Sequence, residues 1–219
     1  MIVYPLARGR EVLRLFDEFS HSCPDEVSTA ALLFTIATGD PAAASAVCYS
    51  GILDRGDKVL QPVTGFAAPL AKDVAVQPSV QLQTLFDAAW PTGRLYYIKS
   101  SVVRRLGEAA IDRYLDRART MPTPLSAIAF QQLHGAASRV RSDDTAFPQR
   151  YDHYNLYIHP ATDDHAAAAK IVHWSRECWD GVQRFVDRAV YVNGWKMPAA
   201  RANSRCATLM ARTSNGWPR

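Results

Sequence analysis

The strongest constraint on this chain is a pair of apolar runs, residues 27–38 and 42–49, separated by little more than Gly39, Asp40 and Pro41. Gly and Asp tolerate the conformations of a tight reversal, so the spacing predicts a β-hairpin. A lone hairpin is marginal in water and must be extended by further strands and covered on at least one face. The rest of the chain offers both. Residues 1–6, 93–101, 125–133, 137–141, 154–159 and 189–193 read as further strands, with Gly135 turning between the third and fourth of them. Apolar residues recur at helical spacing over 12–19, 52–66 and 103–118, and a short helix is expected around 81–89. The Met121–Pro124 stretch stops the third of these. Thr162 or Asp163 can cap a long helix running to about Asp187, with Ile171, Trp174, Cys178, Val182 and Phe185 as its stripe. The sum predicts an α+β fold, an antiparallel sheet with helices packed on one face.

At 219 residues and 48% hydrophobic composition, the chain can bury a real core without disulfide staples. Its net charge of +4 is scattered and does not point to nucleic acid. Cys23, Cys48, Cys178 and Cys206 form no C-x-x-C pair and follow no secretory leader, which predicts a reducing, cytoplasmic compartment. Cys48 and Cys178 lie in apolar patterns and are expected to be buried thiols. No stretch is long and apolar enough to cross a membrane, so a soluble protein is expected.

The residues alone say little about chemistry. There is no glycine-rich phosphate cradle and no H-E-x-x-H. His153 and His159 share one face of a strand, but no third ligand accompanies them, and a metal site is not predicted. The more suggestive pattern is aromatic and polar clustering on strands: Tyr96, Tyr97 and Lys99, then Tyr154, Asn155 and Tyr157, then Tyr191 and Asn193. Alternation puts Tyr97 beside Lys99 and Tyr191 beside Asn193. Such a face suits a planar, oxygen-rich ligand. Tyrosines half-buried against helices with wet hydroxyls give the same pattern, and pattern alone favours that plainer reading.

Several stretches in order carry a resemblance: YPLARGREVLRLFDEF from Tyr4, CPDEVSTAALLFT from Cys23, AVCYSG from Ala46, and LQTLFDAAWPTGRLYYIKSS from Leu82. PLSAIAFQQLHGAASRV from Pro124, TAFPQRYDHYNLYI from Thr145 and VYVN from Val190 follow. Together they resemble bacterial FAD-linked oxidoreductases of the berberine-bridge-enzyme-like group. The resemblance implies a two-domain enzyme in which one domain binds FAD and the later one lays a sheet over the flavin ring. It implies oxidation of an alcohol, sugar or amine by hydride transfer to FAD, with this chain supplying the substrate side. By the same resemblance Tyr191 and Asn193 approach the flavin edge, while Tyr97, Lys99, Gln132, Gln149 and Tyr154 line the substrate cavity. Gln149 stands where a histidine is usual, and Gly194 where several members carry a tyrosine base. A glycine removes no proton, so no catalytic residue is assigned and activity of this chain alone is not expected.

The resemblance covers residues 1–193, expected to be the substrate domain. The glycine-rich FAD-binding segments would precede Met1, in a separately encoded half if the short form is genuine. The alternatives are a non-catalytic ligand-binding or assembly domain and a truncated product without function. Residues 194–219 lose all periodicity and are expected to be an irregular tail. Reading permitted codons for this tail from each third base yields MEDAGGASEQPVRYAYGANFERLAA, which contains the YGANFERL segment expected of the family. A reading frame that slipped near Asn193 or Gly194 accounts for that. Sequencing the locus should show codons able to encode the shifted peptide; codons that cannot encode it would exclude the slip.

Overall fold

A computed structural model describes residues 1–187 and 189. In chain order the elements are β1 (Ile2–Pro5), α1 (Gly9–Ser20), β2 (Val27–Thr35), β3 (Pro41–Tyr49), α2 (Gly56–Thr64), β4 (Ala71–Lys72) and α3 (Ser79–Gln83). They continue with β5 (Leu95–Tyr96), β6 (Lys99–Val103), α4 (Glu108–Arg119), β7 (Ala127–Leu133), β8 (His153–His159), β9 (Ala161–Thr162) and α5 (Ala168–Val182). The main sheet has seven strands in the order β4-β1-β3-β2-β7-β8-β6, every described pairing antiparallel. The predicted hairpin is its centre. Val27 faces Tyr49 and Thr35 faces Pro41, with Gly39 at φ 91° in the turn.

Register decides what each side chain meets. Leu33 pairs with Ala43 and Ile128, and Ile128 with Ile158, so these residues share one face. α1 packs there on β2 and β3, α2 on β3, α4 on β2 and β7, and α5 on β8. Val12, Leu13 and Phe16 of α1 close over Phe130 and Tyr154, with Phe16 4.7 Å from the Tyr154 ring. The stripe expected for α5 is buried at Ile171, Trp174, Cys178 and Val182 and half-buried at Phe185. The predicted antiparallel sheet with helices on one face is therefore the fold observed.

Local expectations differ from the structure in several places. The expected strand over 93–101 is broken in two, because β5 pairs with β9 while β6 pairs with β8. Pro160 separates β8 from β9 and offers no N–H to a ladder, so the pairing breaks opposite it at 97–98. The helix expected from Val103 begins at Glu108, after Gly107, because Val102 and Val103 are spent as buried strand residues. Residues 137–141 form no strand. Gly135 at φ 64° opens a 3-10 turn, and Arg139 is held by Asp25. Asp164, not Thr162 or Asp163, provides the cap before α5, accepting from the Ala166 N–H at 2.8 Å. The strand expected over 189–193 lies outside the described residues, apart from Ala189.

Asp17 ties three layers together. Its side chain, 9% exposed, accepts from the Tyr154 hydroxyl at 3.0 Å and from the Leu106 N–H at 2.9 Å, and pairs with Arg105 at 3.0 Å. One carboxylate thus joins α1 to β8 and to the turn entering α4. Burial and the Asp17 charge both push the Tyr154 phenol up, so it stays a hydrogen-bond donor. Asp17→Ala would strand the buried Leu106 N–H, at a cost of about 1–3 kcal/mol, and would leave the Tyr154 hydroxyl only the Asp17 carbonyl and His21 Nδ1. A loss of about 3 kcal/mol is expected, read as a lower urea midpoint at unchanged slope.

Candidate functional site

The other face of the sheet carries no helix comparable to α1 or α5. The same register sends Ser28, Ala30, Ala46, Cys48, Ala129, Gln131, Asn155 and Tyr157 to it. One row runs Ala46, Ala30, Gln131, Asn155, Val102 from strand to strand, and the next runs Ala44, Leu32, Ala129, Tyr157, Ser100. Ser28 and Gln131 are exposed, and Ala30, Ala46, Ala129 and Tyr157 half-buried. Ala30, Ala46 and Ala129 leave a low patch against which a flat molecule can lie, with Leu32 and Phe34 at one end of it and amides and a phenol beside it on β7 and β8.

Polar atoms along β8 lack partners. His153 is 2% exposed and Asn155 5% exposed; among the described residues, His153 Nε2, Asn155 Oδ1 and His159 Nδ1 are buried without a hydrogen bond. All three residues face the open side. His153 Nδ1 lies 2.6 Å from the Tyr151 carbonyl, so Nδ1 is the donor of that pair. An unpaired buried acceptor costs stability. Farther along, the His159 ring lies 4.4 Å from Trp90 and 5.2 Å from Tyr96. Burial drives its pKa down to about 4.

Asn155 and Tyr157 of the sequence pattern thus face the open side, whereas the described residues that the resemblance puts in the substrate cavity lie elsewhere. Gln132 points under α1, donating to Ser20 O at 2.6 Å and accepting from Thr29 Oγ1 at 2.8 Å. Tyr154 lies in the same buried cluster, at Asp17 and His21. Tyr97 and Lys99 do meet, with Nζ 5.7 Å from the Tyr97 ring, but beside α5, where Nζ also lies 5.8 Å from Trp179. Gln149 is buried in the loop before β8. The structure therefore makes two helix-side groups of Gln132 with Tyr154 and of Tyr97 with Lys99, and brings none of the four to the open face. Tyr191 and Asn193 lie outside the described residues.

His153 and His159 share the open face as expected, and no cluster able to hold a metal ion occurs among the described residues. Cys178 is buried, its thiol pushed up to about 12 by desolvation, whereas Cys48, expected buried, is half-exposed on the open face. Gln131 and Trp90 escaped the sequence reading. The signal for Gln131 was present, because bulky Ile128 and Phe130 mark the helix side of β7 and set Gln131 opposite it.

No family model matches this chain. It is 29% identical over 158 residues to an FAD-linked oxidoreductase of Dictyostelium discoideum, a match covering 70% of this chain and 34% of that protein. Its fold matches BBE-like 1 of Physcomitrella patens with a TM-score of 0.76 at 17% identity, over 98% of this chain and 50% of that one. It also matches Phl p 4, a grass pollen allergen with glucose dehydrogenase activity, with a TM-score of 0.68 at 12% identity, over 89% of this chain and 42% of that one. The chain spans about a third of the curated relative and half or less of these structures. The resemblance to berberine-bridge-enzyme-like FAD-linked oxidoreductases read from the sequence holds in both sequence and fold. No helix among the described residues is long and apolar enough to cross a membrane.

The depressed pKa of His159 makes stability depend on pH. Folding favours the neutral ring, so the unfolded chain binds the extra proton between about pH 6.5 and 4. Its contribution is full above about pH 6.5 and falls by at most about 1.4 kcal/mol per pH unit on acidification to about 4. His159→Phe should flatten this part of the profile, measured as urea midpoints from pH 7 to 5. Parallel slopes for the two proteins would show that His159 is not the source.

Proposed function

We propose that this chain is the substrate-side half of a berberine-bridge-enzyme-like FAD-dependent oxidoreductase, acting on a small alcohol, sugar or amine. A separately folded flavin-binding half is its partner. The observation that carries this reading is the two-sided sheet, with one face sealed by helices and the other bearing a low alanine floor beside unpartnered polar atoms. That face fits a planar heterocycle with its substrate: Ala30, Ala46 and Ala129 admit close approach, and Gln131 stands exposed beside them. When bound, FAD supplies the hydride acceptor.

The work of this chain is positioning. Gln131, exposed at the centre of the face, can both donate to and accept from a substrate hydroxyl. The helix layer on the other side keeps its strand rigid. Small side chains let the substrate settle flat and exclude water from beneath it. Residues 1–193 form the working unit in this reading, with Tyr191 and Asn193 at the flavin edge. No described residue on the face is assigned as the base. The similarity to an FAD-linked oxidoreductase and the matching fold support the reading, and the free thiols of Cys23, Cys48 and Cys178 agree with a cytoplasmic setting.

The test is co-expression of the full chain with the flavin-binding half of the Dictyostelium relative. The expected result is a yellow complex with a flavin absorbance that a substrate bleaches anaerobically. A chain that melts cooperatively but never joins a flavin-bearing partner would overturn this reading in favour of a non-catalytic binding domain.

A further inference from the structure

Beside α5, the helix side of the sheet carries a group made of hydrogen-bond donors. Lys99, paired with Ile158 on that side, holds Nζ 5.7 Å from the Tyr97 ring and 5.8 Å from the Trp179 ring. The Arg176 guanidinium lies 5.9 Å from the same tyrosine ring, and its Nε donates to the Tyr97 hydroxyl at 3.4 Å. The tyrosine backbone is pinned from both directions. Its N–H donates to the Pro160 carbonyl at 3.3 Å, and its carbonyl accepts from Ser175 Oγ at 3.3 Å. Two cations thus share one fixed residue. Among the described residues no carboxylate answers either of them: Glu177 is taken by Arg117 and His173, Asp163 by Arg94 and Asp187 by Arg104, while exposed Asp180 pairs with neither. The remainder of the chain, residues 188 and 190–219, contains no Asp or Glu.

We propose that Tyr97, Lys99, Arg176 and Trp179 form a binding site for a tetrahedral oxyanion, either inorganic phosphate or the phosphoryl group of a larger compound. The donors of this group are unspent. Among the described residues the Lys99 ammonium meets rings but no acceptor, and the terminal nitrogens of Arg176 meet none either. The Tyr97 hydroxyl accepts from Arg176 and keeps its own hydrogen to give. An oxyanion brings acceptors alone, and charge-assisted bonds to it are the strong kind. Contact with a ring rewards a cation less than a charged hydrogen bond does, so the rings position the two cations without satisfying them. The cations also repel one another, and an anion between them turns that repulsion into attraction. A neutral or cationic ligand gains neither effect. The half-buried rings of Tyr97 and Trp179 keep water from one side of the site, which strengthens each bond made there.

The experiment uses the full chain, 15N-labelled and at fixed ionic strength, titrated separately with inorganic phosphate, phenyl phosphate and phenol. The Trp179 indole and Arg176 Nε resonances are followed by NMR, assigned through Trp179→Phe and Arg176→Gln. Phosphate in either form is expected to move them saturably, and phenol to leave them in place. Arg176→Gln, at an exposed position, should weaken binding at least about tenfold, the worth of one charged hydrogen bond, as read on Trp179. Lys99→Met keeps an apolar stem against the rings and should weaken it to a similar degree. Saturation by both phosphates would support a site for the free ion, and saturation by phenyl phosphate alone a site for an organic phosphoryl group. If neither phosphate moves the resonances, if phenol moves them equally, or if Arg176→Gln binds as tightly as the native chain, the site is overturned. None of these outcomes bears on the open face or on the flavin-binding half.

Discussion

Successive side chains on a strand point to opposite faces, and in this protein the pleat separates two chemistries. On β7, Ile128 and Phe130 enter the core, while Ala129 and Gln131 face away from it. On β8, Tyr154, Leu156 and Ile158 enter the core, while His153, Asn155 and Tyr157 turn the other way. A slip of one residue would drive amides and histidines under α1 and expose the aromatic core. The long β2–β3 hairpin prevents this, because its register is fixed residue by residue from Val27–Tyr49 to Thr35–Pro41.

The helix layer depends on the same phase. Tyr154 reaches Asp17 only because it shares the inward set of β8, and Asp17 then fixes both α1 and the Leu106 N–H ahead of α4. The ion pairs of Arg10 and Arg14 with Glu108 and Asp112 join the same helices at the surface, where they contribute little. The buried carboxylate therefore holds the layer more firmly than the visible charge network does. A rigid helix layer in turn holds the opposite face in place.

The fold was largely legible in the sequence because the hairpin, the α1 and α5 stripes and the β8 run are long and strongly patterned. The failures are local and have local causes. Strand pairing across Pro160 split the expected strand over 93–101, and a glycine with positive φ turned 137–141 into a 3-10 turn. The site was less legible, since a tyrosine or an amide does not declare its face. Gln131 and Gln132 are adjacent and chemically identical, yet Gln132 is committed to Ser20 and Thr29 while Gln131 meets solvent. Only the phase of their bulky neighbours tells them apart. Tyr97 and Lys99 do stand together, as alternation requires, but α5 is their neighbour.

The margins of the sheet are closed. At one margin β1 is capped by two-residue β4, with Leu70 and Asp73 also donating to Val3 and Met1 carbonyls, and Pro5 has no N–H to offer. At the other, Val102 accepts from Asp187 N–H and Ser101 donates to the Asp187 carbonyl. Few backbone groups are left in a row for a passing strand to zip onto, so the sheet offers a poor template for fibrils. Any self-association would come from faces sliding over one another, a contact without register.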